Sequence, residues 1–158
     1  MARPAANGGG WGEGGKPPGF VPVIDMARGH ARMLEACDML EKLADDLPAR
    51  VDRLRCLMLA NSLPSLVEAC HRFEEQFVFP AFAVSSRNAA IVSRLMAEHV
   101  QDRCAAEDLS EALLAYGEGR PIANPEAFGY MLRALFDSMR RHIAFEQDCI
   151  LSALPGEG

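Results

Sequence analysis

The chain has no surplus of positive charge. Against 22 aspartates and glutamates stand 16 lysines and arginines, a net charge of −6, so no basic stripe is available to neutralise phosphates and nucleic acid is excluded as a primary partner. It also lacks any apolar run approaching the roughly 20 residues of a membrane helix, so no membrane partner is expected. Arg3 is followed by Pro4, Ala5 and Asn7 rather than by an apolar segment, which argues against a secretory signal and makes a cytoplasmic address the expectation. The five cysteines are odd in number and show no CxxC spacing, so they form no disulfide framework and suit a reducing compartment. Aromatics make up only 7% of the chain, and neither strand-like alternation nor a repeat of solenoid period is found.

What remains is a single-domain length of 158 residues, 49% hydrophobic and with eight methionines, a helical-bundle composition. Gly and Pro crowd residues 1–20, which read as a flexible arm unable to offset its ordering entropy by burial. Trp11 is its one tryptophan, which could dock on the bundle or on a protein partner. Residues 21–155 carry the helical periodicity.

The first helix is expected from about Val21–Asp25 to Asp45, with Met26, His30, Met33, Cys37, Leu40 and Ala44 on its core stripe. A second should run from about Ala49 to Phe79, kinked or split by Pro64 and closed by Pro80; its inward positions are read as Leu57, Ala60, Pro64, Val67, His71, Glu75, Val78 and Phe82. Ser85 or Ser86 can cap a third helix with Val92, Leu95, His99, Ala106, Leu109 and Leu113 inside, ended by Gly117 and Gly119. Asn124-Pro125-Glu126 starts a fourth, which carries Phe128, Leu132, Leu135, Met139, His142, Glu146 and Cys149 until Pro155 stops it. Short connections make this an all-α, up-down-up-down four-helix bundle.

The chain has four histidines, and each lies on one of these stripes. A lone histidine on an apolar face is more often a packed, hydrogen-bonded residue than a ligand. With stripes covering about three positions in seven, all four landing there by chance has a likelihood of roughly 3%. His71 with Glu75 and His142 with Glu146 add carboxylates one helical turn on. Imidazoles and carboxylates together suit iron, manganese or zinc, and six ligands are more than one ion with an open position needs, but suit two bridged ions. A ferritin-like site would need two ExxH motifs, and only Glu68 to His71 supplies one, because Met96 and Met139 precede His99 and His142.

In these residues the chain resembles the hemerythrin-like HHE cation-binding family: His30, the His71–Glu75 HxxxE followed by Phe79-Pro80, Glu98-His99, and His142 with Glu146. The resemblance spans about Pro22 to Leu154 and implies a four-helix bundle holding two iron ions in a non-haem di-iron centre. It further implies that His30 and His71 ligate one iron, His99 and His142 the other, and that Glu75 and Glu146 bridge them. The implied function is sensing or binding of oxygen, nitric oxide or iron, with a di-iron oxidoreductase consuming peroxide or oxygen as the alternative. The partner would then be a small diatomic ligand or peroxide. Oxygen-carrying hemerythrins have a further histidine one turn after the third-helix ligand, where this chain has Arg103. An arginine has no lone pair to donate, which implies more than one open position on that iron. A metal-free structural bundle is the remaining reading.

Overall fold

The computed structural model describes residues 22–154, so the arm with Trp11, and Pro155, lie outside the described residues. Four long helices account for most of the chain: α1 (Pro22–Asp46), α2 (Arg53–Phe73), α4 (Ser86–Gly117) and α5 (Pro125–Glu146), with a short α3 (Phe79–Phe82) between α2 and α4. No strand occurs among the described residues. The long helices pack in a ring, α1 on α2, α2 on α4, α4 on α5 and α5 back on α1, as short antiparallel connections require.

The starts are set by side-chain caps that take up otherwise orphaned N–H groups. Asp52 accepts from Arg55 N–H at 3.2 Å, Ser85 from Asn88 N–H at 3.2 Å and Asn124 from Ala127 N–H at 3.0 Å. The Asp52 cap moves the start of α2 to Arg53, four residues beyond the expected Ala49. At the far end of α4 the chain leaves through Gly119, whose φ of +100° a Cβ would strain.

Pro64 does not split α2, which runs through it unbroken from Arg53 to Phe73. Its ring removes the N–H that the Ala60 carbonyl would accept, and Ser110 Oγ on α4 donates to that carbonyl instead, at 2.7 Å. The orphan acceptor has become an interhelical tie. Pro80 does not close the element either, since it sits exposed at the start of α3 and the chain stays helical to Phe82.

Two segments depart from α geometry. Glu74–Val78 and Gln147–Leu151 are π-helical, so each residue turns the chain by less than in an α-helix. The buried side of α2 runs through Cys56, Leu59, Ala60, Leu63, Val67, Cys70 and His71 to Glu74 and Val78; Ala60, Val67, His71 and Val78 are inside as expected, while Cys56, Leu63 and Glu74 take the places expected for Leu57, Pro64 and Glu75. Leu57, Pro64 and Glu75 are only half-buried.

The core divides into an aliphatic body toward the α1–α2 and α4–α5 turns, including Leu40, Leu43, Leu59, Leu113 and Leu132, and a smaller cap of Met26, Val78, Phe79, Phe82, Val92, Leu95 and Ile150 at the other end. By position along the helices, the four histidines fall between them.

Candidate metal centre

Each long helix delivers one histidine to this layer, and all four are buried: His30 from α1, His71 from α2, His99 from α4 and His142 from α5. Two carboxylates join them, Glu146 from the end of α5 and Glu74 from the first π-helical turn, both essentially sealed from solvent. Glu146 Oε2 lies 2.8 Å from His30 Nε2, and its Oε1 lies 2.8 Å from His142 Nε2 and 3.6 Å from His99 Nε2. Glu74 sits opposite, with Oε1 3.3 Å from His30 Nε2 and Oε2 3.1 Å from His99 Nε2. His71 stacks flat on His99, ring centres 3.7 Å apart.

Ligand atoms of Glu74, His99, His142 and Glu146 lie within 4.8 Å of one another, as do those of His71, His99 and His142. Of the expected pairs, His99 and His142 come together, Nε2 to Nε2 at 3.2 Å; His71 joins them, while His30 meets the two carboxylates.

Glu75 stands apart from this set. It occupies the rim, where Oε1 lies 2.8 Å from His99 Nδ1, the nitrogen facing away from the cluster, and accepts from Arg103 Nη2 at 3.3 Å. The physical cause is register. The true stripe of α2 and the wider π turn point residue 74 inward, while Arg103 draws residue 75 toward the surface. Sequence reasoning missed Glu74, although Cys56, Leu63, Cys70 and Glu74 mark the correct face at helical steps. It also missed Asp102, a buried carboxyl one turn from Glu98 that accepts from Ser138 Oγ at 3.2 Å.

Burial alone would lower the histidine pKa values, but hydrogen bonds to Glu146 and Glu74 outweigh it at His30, raised to about 9, and at His99, raised to about 10. His142 moves upward against its burial through its hydrogen bond to Glu146. Burial works against the Glu146 carboxylate too, yet its bonds to His142, His30 and His99 hold it far below the usual carboxylate range. His71 behaves oppositely: burial, then repulsion from His99 and His142, pushes it down to about 2, so its imidazole is neutral.

The donor set fits a metal. His71 Nδ1 and Nε2 and His30 Nδ1 are buried without a hydrogen-bond partner. Orphaned buried polar atoms cost about 1–3 kcal/mol each, and a cation taking the place of the histidine protons would satisfy imidazoles and carboxylates arranged in this way together. The model of the hemerythrin HHE cation-binding domain matches residues 21–154.

The chain belongs to the hemerythrin family.

No curated protein and no solved structure matches the chain. The hemerythrin assignment covers every histidine and carboxylate of the cluster. Among the described residues no helix is long and apolar enough to cross a membrane. The five cysteines are free, with Cys37, Cys56 and Cys70 buried, Cys149 half-buried and Cys104 exposed.

Proposed function

We propose that this hemerythrin-family chain is a non-haem di-iron protein that binds or senses a small ligand, oxygen or nitric oxide, or reports iron itself. The observation that carries the reading is His71, a neutral, fully buried imidazole with neither nitrogen hydrogen-bonded, stacked on His99 and beside His142 in a cluster that also holds Glu74 and Glu146. His30, His71, His99 and His142 would hold two iron ions, with Glu146 and Glu74 as the bridging carboxylates in place of the expected Glu75. Such a centre, when filled, supplies reversible ligand binding or electron transfer to oxygen or peroxide.

The chain's own residues shape what reaches it. Phe79 packs on the His99 ring with centres 5.2 Å apart, and Phe82, Leu95 and Ile150 complete the apolar cap, so bulk water is kept from the cluster. Buried, free thiols suit a reducing interior such as the cytoplasm.

One observation favours the oxidoreductase alternative. Arg103 points to Glu75 and Glu68 at the rim, at 3.3 and 3.4 Å, so α4 offers no second imidazole one turn after His99, and an iron held by His99 would keep a coordination position for an exogenous molecule.

Anaerobic loading with ferrous iron, followed by visible spectra with oxygen, nitric oxide and peroxide, tests both readings. A spectral change reversed by removing the gas supports binding or sensing. Irreversible oxidation with catalytic loss of peroxide supports the enzyme. Iron that neither binds nor gives a spectrum sensitive to any of the three contradicts both.

A further inference from the structure

Two arginines on α4 are each linked, through one rim carboxylate, to a buried histidine. Arg103 Nη2 donates to Glu75 Oε1 at 3.3 Å, and Glu75 Oε1 lies 2.8 Å from His99 Nδ1. Arg94 Nε donates to Glu98 Oε1 at 2.9 Å, and Glu98 Oε2 lies 3.0 Å from His142 Nδ1. The histidines' other nitrogens, His99 Nε2 and His142 Nε2, face one another inside the cluster at 3.2 Å. Both arginines are themselves anchored, Arg103 by Glu68 at 3.4 Å and Arg94 over the Phe145 ring at 5.3 Å.

A neutral imidazole carries one N–H, and an ionised carboxylate only accepts. A carboxylate at Nδ1 therefore keeps the proton there and the lone pair on Nε2, pointed inward. His30 Nδ1 and His71 Nδ1 have no such partner, so the device is confined to the two histidines of α4 and α5. We infer that Glu75 and Glu98 are positioning residues, each fixing the tautomer and ring orientation of a histidine on the neighbouring helix, and that Arg103 and Arg94 hold them in place. This role rests on the metal-binding reading above.

The two arms are unequal. His142 Nδ1 has a reserve acceptor, the buried Asp102 Oδ2 at 3.9 Å, which has no hydrogen bond of its own. His99 Nδ1 has no second carboxylate within ion-pair distance among the described residues; Glu75 alone stands there. Loss of Glu75 should therefore leave His99 loose, whereas loss of Glu98 lets the His142 ring turn to Asp102.

The test uses the full chain loaded with cobalt(II), whose paramagnetism shifts the imidazole N–H protons of its ligands out of the proton NMR envelope. Cobalt affinity and the exchange of those N–H signals with deuterated water are measured for wild type, Glu75→Ala, Glu75→Gln, Glu98→Ala and Glu98→Ala/Asp102→Ala. Glu75→Ala should weaken cobalt binding by about 10–100-fold and speed exchange of one signal by about tenfold or more. Glu75→Gln, whose amide oxygen still accepts, should retain cobalt and restore slow exchange even if the Ala variant folds poorly. Glu98→Ala should change little, and the double variant should release a second signal. Shifted signals that exchange alike in every variant would overturn the positioning role while leaving metal binding intact. Complete loss of cobalt in Glu75→Gln would overturn it too, by making Glu75 a ligand. Failure of the wild type to take up cobalt would remove the metal reading and this role together.

Discussion

The two ends of the bundle use the same four helices under different rules. Toward the inter-helix turns, α1, α2, α4 and α5 meet through aliphatic side chains such as Leu43, Leu59, Leu113 and Leu132, and these long segments are α-helical. Around the histidines the packing is polar, several buried nitrogens and oxygens lack hydrogen-bond partners, and π-helical turns begin at Glu74 and directly after Glu146. Burying oil needs only a continuous stripe with the α period. Converging two carboxylates on four imidazoles needs a local change of register, and both changes occur at the carboxylates.

That contrast predicts different responses to damage. The largest effect belongs to the aliphatic half: Leu132→Ala, at a fully buried position, should cost about 2–5 kcal/mol in urea unfolding without changing iron per folded chain. A parallel loss of iron would mean that the halves are not independent. Next comes the ion itself. Iron at about 100 times its dissociation constant should add about 2.7 kcal/mol and raise Tm, and Glu146→Gln should abolish most of that gain; equal melting of loaded and metal-free protein breaks the contrast. Ser110→Ala is a smaller test, expected to cost about 1–3 kcal/mol by orphaning the Ala60 carbonyl beside Pro64. A neutral Ser110→Ala would show that the carbonyl is satisfied another way.

The smallest effect concerns the thiols. Burial pushes Cys37 and Cys70 up to about 11 from an ordinary value of 9.0. Their unfolded thiols ionise first, so stability should fall as pH rises through that interval and be unaffected below it. At pH 8 iodoacetamide should modify Cys104, which is exposed, well before either. Peptide mapping checks this, and equal labelling would contradict it.

Much of the architecture was legible because caps and stripes are local. Asn124-Pro125, Ser85 and the run from Val92 to Leu113 needed only propensity and period, and the structure shows them as expected. All four histidines were legible for the same reason. The second helix was legible at Ala60, Val67, His71, Val78 and Phe82, which are buried as expected, but not at Leu57, Pro64 and Glu75. Each of these is half-buried, and each lies one residue after a buried position, Cys56, Leu63 or Glu74. A stripe holding cysteines in place of a proline would have pointed to Glu74. The rim position of Glu75 and the partner of the Ala60 carbonyl involve tertiary neighbours, Arg103 and Ser110 on α4, which no local pattern encodes.

Iron content after anaerobic ferrous loading, measured by elemental analysis on wild type, Glu74→Gln and Glu75→Gln, tests the central claim most directly. The account predicts about two iron ions per wild-type chain, a marked loss in Glu74→Gln and near-normal content in Glu75→Gln. Wild-type content near zero, or loss in Glu75→Gln with full content in Glu74→Gln, would contradict it.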